Sequence, residues 1–506
     1  MRTIPMKALP RVRGGVTLAV LAVMWPAAKS QSQQPVFLEQ RCSSTWGKFD
    51  NVEPSAVHCG TITLPQNRAA PGDTRLRPVV LPVVHIAYPS ANGTPLLLLP
   101  GGPGESGIEG LDEVLLHTPV GQLAIRQRPV IAFDRRGLMM QPGRGSPDLG
   151  GVGAVSGATR DQATAALRDS LRARVRKLYS QGVEPRYFTT SDVVTDIADV
   201  LAALGYRKVV LLGASYGTRE ALQFMRKYPT VVESAILDGV APTQSVHILD
   251  PAFIRATREG VVRRIVEDCV ADAMCSLEYP RLADALRRLS DPSAGPLRIT
   301  ADFGGTARWQ TVEVPGRALL VTLGVAANAE DIRAAVPQLV EDLASGDTLR
   351  RALSPQVVVA AAIDSVARAG SGPGVSLVYD IVLCADHPHG APQRGGRPTC
   401  DALTVPFGGP ALTEPVTSDI PTLLLASGYD AHTPPALAIE AARTLSHAQR
   451  VEFPMVGHIA FAHPSTMACA AVVVESFLQR PASAPASECI DSAVPAFLPR
   501  SVEAGR

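Results

Sequence analysis

The sequence has almost no net charge: 48 Lys and Arg face 47 Asp and Glu, leaving +1, and the basic residues are spread along the chain. Nucleic acids and anionic membrane surfaces are held by a basic stripe or cluster, so neither is an expected partner. The Arg-rich stretch 168–177 reads as a solvated helix face. Metal-ligand spacings are also missing. With no CxxC pair and no HxxxH pattern, zinc sites of the usual kinds have no support and no metal is expected. No internal repeat occurs, which excludes a solenoid, and low complexity is confined to Pro, Ala and Ser at 481–487. The apolar run at 16–25 is too short to span a bilayer as a permanent helix, and neither a twin arginine nor a lipidation cysteine accompanies it.

What is present starts with length and export signals. A chain of 506 residues with 46% hydrophobic content is an ordinary globular protein with a sizeable core. Arg2, Lys7, Arg11 and Arg13 precede the apolar run, and small residues follow it up to Ser32. That three-part layout predicts a secretory signal over residues 1–30, cleaved after Ser30 or Ser32, with a retained N-terminal anchor as the alternative. Eight cysteines, an even count, agree with an oxidising compartment, hence a secreted or periplasmic protein. Proximity suggests the disulfides Cys42 with Cys59, Cys269 with Cys275, Cys384 with Cys400 and Cys469 with Cys489.

The organising stretch is residues 208–221, KVVLLGASYGTREA. Val209 to Leu212 form a short apolar run suited to a buried parallel strand, Gly213-Ala214-Ser215-Tyr216-Gly217 fits G-x-S-x-G, and a helix follows. Such a turn is a nucleophile elbow, whose glycines are needed because a side chain would collide with neighbouring backbone. Other runs end in similar loops. Leu96 to Leu99 stop at Pro100-Gly101-Gly102-Pro103-Gly104, Val130 to Phe133 at Asp134-Arg135-Arg136-Gly137, and residues 234–237 at Asp238-Gly239. Ser191 is the expected N-cap of the helix before the nucleophile strand. Strand and helix alternation fails between about 243 and 417 and resumes at 421–426. The expected organisation is therefore an α/β core over 31–242 and 418–506, with a mostly parallel sheet covered on both faces, and an inserted, mainly helical cap over 243–417.

A serine hydroxyl needs a base to take its proton and a carboxylate to orient that base. In sheets of this kind the chain order is Ser, acid, His, which points to Ser215, Asp430 after the strand at 422–426, and His458 after the strand ending at Phe453. Asp238 is a rival acid, and His432, His447 and His463 are rival bases. The oxyanion donors expected are the backbone N–H groups of Tyr216 and Gly102.

Together Gly101 to Gly104, Asp134-Arg135-Arg136-Gly137, GASYGT at 213–218, Leu237-Asp238-Gly239, DAHTPP at 430–435 and Gly457-His458 resemble the secreted tripeptidyl aminopeptidase group within the prolyl iminopeptidase-like serine hydrolases. The resemblance implies an α/β-hydrolase fold, Ser215, Asp430 and His458 as triad, no cofactor, and release of short peptides or single residues from free N-termini. Departures from the pattern cluster near the substrate side: Leu138-Met139-Met140, Glu105, and Arg219-Glu220 directly after GASYGT. A substrate ammonium calls for a carboxylate partner. Glu105 and Asp386 are the expected candidates, with Glu267, Asp268 and Asp272 behind them. The competing functions are a carboxylesterase on small acyl esters and a secreted binding protein that keeps the fold without turnover.

Overall fold

Six parallel strands, each ending in one of the loops singled out above, lie side by side in one sheet. The computed structural model describes residues 35–42, 46–138, 160–302, 309–345, 377–388, 397–492 and 497–499, so the expected signal segment lies outside the described residues. The strands are β1 (Phe37–Gln40), β2 (Val57–Leu64), β3 (Val79–Ile86), β4 (Leu96–Leu99), β5 (Val130–Phe133), β6 (Val209–Ala214), β7 (Val232–Asp238), β8 (Pro296–Asp302), β9 (Trp309–Pro315), β10 (Thr422–Ser427) and β11 (Ala448–Phe453). The main sheet has the order β1-β2-β3-β5-β4-β6-β7-β10-β11. Pairing is antiparallel from β1 to β5 and parallel from β5 to β11.

The helices are α1 (Pro119–Gln127), α2 (Arg160–Ser180), α3 (Thr190–Ala203), α4 (Tyr216–Lys227), α5 (Pro251–Ala271), α6 (Ala273–Glu278), α7 (Leu282–Ser290), α8 (Gly316–Ala326), α9 (Glu330–Ser345), α10 (Leu377–Asp386), α11 (Arg397–Leu403), α12 (Pro435–Ala442) and α13 (Met467–Gln479), short turns aside. Successive strand residues face opposite sides of the sheet, so an all-apolar strand feeds two cores. Val209 and Leu211 of β6 and Leu97 and Leu99 of β4 join one cluster with α3, α4 and α12. Val210, Leu212, Leu96 and Leu98 join the other with α1 and α13. This is why the central strands are runs of leucine and valine instead of alternating patterns.

The chain between β7 and β10 holds helices and an antiparallel hairpin, β8 with β9, which adds strand structure to the helical insertion that was expected. Its first half has its own core, with Val262, Ile265, Leu319, Leu320, Val336 and Leu339 packed together. The described residues of its second half pack elsewhere. Val378, Ile381, Val382 and Cys384 of α10 belong to the sheet-facing cluster with α3 and α4. Four disulfides fasten these parts: Cys42–Cys59, Cys269–Cys275, Cys384–Cys400 and Cys469–Cys489. Among the described residues no helix is long and apolar enough to cross a membrane.

Two local expectations resolve into specific contacts. Helix α3 is capped by Thr189 and not by Ser191: the Asp192 carboxylate accepts from the Thr189 N–H at 3.1 Å and its hydroxyl at 2.7 Å. The reciprocal Thr and Asp pair closes the first turn two residues before Ser191 could do so. The Asp134-Arg135-Arg136 loop after β5 is three buried anchors. Asp134 Oδ1 accepts from Ser106 Oγ at 2.5 Å, Arg135 Nη2 donates to the Pro100 carbonyl at 3.1 Å, and Arg136 grips Asp196 on α3 with two bonds of 2.6 Å each.

Arg136 and Asp196 are both fully buried, and Asp196 also takes Arg68, so removing Asp196 breaks two ion pairs and leaves the buried Arg136 only Asp192, at 3.7 Å. Asp196→Ala is expected to cost about 3–5 kcal/mol in urea unfolding. A loss below about 1 kcal/mol would mean that the pair is not closed as described.

Candidate active site

Ser215 stands between β6 and α4 with φ +53° and ψ −121°, a strained conformation that lifts the side chain off the sheet. The neighbouring glycines explain how the chain tolerates it. A Cβ on Gly217 would lie 2.0 Å from the Leu99 carbonyl, and one on Gly213 would lie 2.8 Å from the Gly217 carbonyl. Helix α4 therefore starts in backbone contact with the end of β4. The Ser215 N–H donates to the Asp238 carbonyl at 2.8 Å, and the Ser215 carbonyl accepts from Thr218 Oγ1 at 2.6 Å. The side chain is half-buried at the C-terminal edge of the sheet.

Asp430 follows β10 and is buried, with three donors on it: the His432 N–H at 2.7 Å, the Thr433 N–H at 2.8 Å and the Thr433 hydroxyl at 2.7 Å. Its Oδ2 lies 2.7 Å from Nδ1 of His458, which follows β11. Burial alone would raise the Asp430 pKa, but His458 and the Thr433 donors outweigh it and hold the carboxylate well below its usual range. With an ionised acid on Nδ1, that nitrogen carries the proton and Nε2 is left as the basic atom. For His458, burial works against protonation while Asp430, Asp238 and Glu105 favour it, and the net direction is upward.

The loop after β4 closes on Ser215. A Cβ on Gly101 would sit 3.1 Å from the Ser215 Cβ and 3.0 Å from Glu105 Oε2, so the Glu105 carboxylate stands beside the serine, exposed. Gly102 has φ +103°, open to glycine and strained for other residues. Tyr216 is the first residue of α4, so its N–H is one of the unpaired donors of a helix N-terminus.

The rival residues have other work. Asp238 is buried under the His458 loop, accepting from the Ala460 N–H at 3.2 Å and the Phe461 N–H at 3.0 Å, and burial raises its pKa to about 7. The His432 ring lies 5.0 Å from the His458 ring, tilted by 51°, and burial followed by His458 holds its pKa down at about 4. His447 meets the Asp419 carbonyl, and His463 Nε2 donates to the His458 carbonyl at 3.0 Å.

Asp386 is fully buried: its Oδ2 accepts from the Tyr216 hydroxyl, Thr190 Oγ1 and Arg219 Nε, and its Oδ1 has no hydrogen-bond partner among the described residues. Asp268 holds the Tyr429 hydroxyl, Asp272 caps α6 through the Cys275 N–H, and Glu267 is exposed on α5. Two residues of the site were not anticipated. Thr433 is signalled by the Asp-x-x-Thr spacing of a turn in which side chains bond nearby backbone. Asn328 is not: its Oδ1 accepts the His458 N–H, and Gly457 is a glycine because a Cβ would meet that same oxygen at 2.5 Å. Among the described residues no group of His, Cys, Asp or Glu could hold a metal ion.

Asp238 and Glu220 both have pKa values raised to about 7, chiefly by burial, so the folded chain keeps protons that the unfolded chain releases near pH 4. Stability must then fall as pH rises from about 4 to about 7, by at most about 1.4 kcal/mol per pH unit for each group. Asp238→Asn, which mimics the protonated acid, is expected to flatten this slope in urea unfolding series at stepped pH. An unchanged slope would show that Asp238 is ionised throughout.

Residues 94–297 match a family described as "alpha/beta hydrolase fold", and residues 389–489 match one described as "TAP-like protein". The tripeptidyl aminopeptidase of Streptomyces coelicolor is 26% identical over 208 residues, 39% of this chain and 37% of that one. The serine protease Hip1 of Mycobacterium bovis is 27% identical over 275 residues, 48% of each chain. The chain thus spans half or less of the length of these curated relatives. A solved proline iminopeptidase of Mycobacterium smegmatis superposes with a TM-score of 0.38 at 16% identity, covering 83% of this chain and 98% of the other. With its sheet order, its elbow between β6 and α4 and its two matched regions, the chain has the α/β-hydrolase fold and is similar in sequence to the tripeptidyl aminopeptidases and to Hip1.

Proposed function

We propose that the chain is an exported serine-type aminopeptidase that releases short peptides or single residues from free N-termini through an acyl-enzyme. The observation that carries the reading is the exposed Glu105 carboxylate standing against Gly101 beside Ser215, in a site whose acid and histidine are already paired at 2.7 Å. His458 Nε2 takes the proton of Ser215 as the hydroxyl attacks the acyl carbon, and Asp430 stabilises the imidazolium. The N–H groups of Tyr216 and Gly102 hold the oxyanion. Proton return through His458 expels the leaving amine, and water then repeats the sequence to free the enzyme. Glu105 receives the substrate ammonium in an interaction stronger than one between neutral groups. Export is supported by the four disulfides, which persist in oxidising compartments.

The test is hydrolysis of matched chromogenic tripeptide amides, free or acetylated at the N-terminus, beside a short acyl ester. The expected result is turnover of the free amide, loss of at least about a thousandfold in Ser215→Ala, and little turnover of the acetylated amide. Ester cleavage with neither amide touched would replace the peptidase reading by an esterase, and folded protein without turnover or fluorophosphonate labelling would favour a binding protein.

The upward shift of His458 also has a kinetic signature. Activity needs its neutral form, so kcat/KM should rise with pH through a value above 6.5, the ordinary histidine pKa. Glu105→Gln is expected to move this limb to lower pH and to raise KM for the free amide while leaving the ester unaffected. A limb that does not move would remove Glu105 from the site.

A further inference from the structure

Asp386 is buried, and the bonds that hold it lead straight to Tyr216, the residue after Ser215. It is the last residue of α10. Its Oδ2 accepts from the Tyr216 hydroxyl, from Thr190 Oγ1 at 3.0 Å and from Arg219 Nε at 3.1 Å. Thr190 Oγ1 is also 2.6 Å from the Tyr216 hydroxyl, so phenol, alcohol and carboxylate form a closed triangle. Tyr216 and Arg219 are three residues apart on α4 and present one face to α10.

Arg219 extends the cluster to both ends of the insertion. Its Nη1 donates to the Pro242 carbonyl at 3.0 Å, where the chain has just left the sheet, and its Nη2 to the Leu412 carbonyl at 2.7 Å, shortly before the chain returns. The Cys384–Cys400 disulfide starts two residues before Asp386 and fastens α10 to α11. Arg219, Asp386 and Thr190 are fully buried or nearly so. Burying a charge pair costs several kcal/mol of desolvation, and apolar packing would hold three elements together equally well, so cohesion alone is a weak reason for this cluster. What a hydrogen-bonded cluster adds over apolar packing is a fixed orientation.

We propose that Asp386 is a positioning residue for the oxyanion hole: through the Tyr216 hydroxyl, with Arg219 as its counter-ion, it sets the rotation of Tyr216 so that the backbone N–H of that residue points at the developing oxyanion. The role rests on the serine-hydrolase reading above and deepens it. The phenol is the donor in the contact, because burial and the neighbouring carboxylate hold its pKa far above the usual range. The strained turn at Ser215 makes such a brace useful. Its backbone must hold a positive φ against relaxation, and the next residue is pinned at its far end by the Asp386 carboxyl group. The same contacts join the seating of α10 to the geometry of the hole, so a site with the insertion displaced would bind substrate and turn it over poorly.

The experiment compares Asp386→Asn, Tyr216→Phe and, as a control, Asp196→Asn, all in the full chain with disulfides intact. The readouts are kcat and KM for the free tripeptide amide, inhibition by a peptide aldehyde that forms the tetrahedral adduct, and inhibition by the matching peptide alcohol that does not. Positioning predicts that kcat falls about tenfold to a hundredfold in Asp386→Asn and Tyr216→Phe, that aldehyde binding weakens in parallel, and that KM and alcohol binding stay within about twofold. Asp196→Asn disturbs a buried ion pair elsewhere and should lower stability without changing the ratio of aldehyde to alcohol affinity. If Tyr216→Phe and Asp386→Asn change that ratio no more than the control does, the cluster is structural and the proposal fails. Should Asp386→Asn not fold, Tyr216→Phe alone decides. Wild-type protein without turnover that depends on Ser215 would instead overturn the underlying reading, and the proposal with it.

Discussion

The contact on which the site depends is between backbones. Gly217 lets the first turn of α4 rest on the carbonyl end of β4, with no room for even one methyl group. That approach brings together two segments that the chain separates by more than a hundred residues: the elbow with Ser215 and Tyr216, and the loop with Gly101, Gly102 and Glu105. Each supplies part of one site. In the proposed mechanism Ser215 and the Tyr216 amide come from β6 and α4, and the Gly102 amide and the exposed Glu105 carboxylate come from the loop after β4. Because the contact is backbone to backbone, its geometry does not depend on rotamers, which gives a strained serine a rigid support.

Around that contact the polar groups are buried in pairs, each holding one loop. Arg135 reaches the Pro100 carbonyl and lies 2.8 Å from Glu220 Oε1, bracing the loop after β4 against α4. Arg136 and Asp196 join the loop after β5 to α3. Asp238 carries two amides of the His458 loop, and Asn328 carries a third from the insertion. Such groups are expensive to bury, but each satisfies a backbone donor or acceptor of a loop that could not bury its own. The loops at the C-terminal edge of the sheet are thus ordered by side chains from elements that do not carry the chemistry.

The insertion has two halves with different allegiance. The helices from α5 to α9 form a separate apolar cluster that reaches the sheet at Tyr429 and Ala431, beside Asp430. Helices α10 and α11 pack into the main core with α3 and α4. Hydrophobic composition alone does not distinguish these, since both halves have buried apolar faces. The difference lies in which surface those faces meet.

The parallel sheet, the strained turn at Ser215, the placing of Asp430 and His458 after β10 and β11, and the pairing of cysteines near each other were legible because each rests on short-range rules: runs of apolar residues, glycines where a Cβ cannot fit, and spacing along the chain. Thr433 belongs to the same class and could have been read from its turn. The rest was not legible, since its partners are distant in sequence. Nothing local in Asn328 marks it as the acceptor for the His458 amide, nothing in Asp386 distinguishes a buried clamp on Tyr216 from a carboxylate facing a ligand, and Arg219 looked like a departure from a pattern until Pro242, Leu412 and Asp386 were found around it. Sequence by itself determined on which strand ends Ser215, Asp430 and His458 would stand, because strand period and turn sterics are local. Tertiary structure alone decided which carboxylates are exposed, which are buried and what each one holds, because burial and partners are properties of the packed chain.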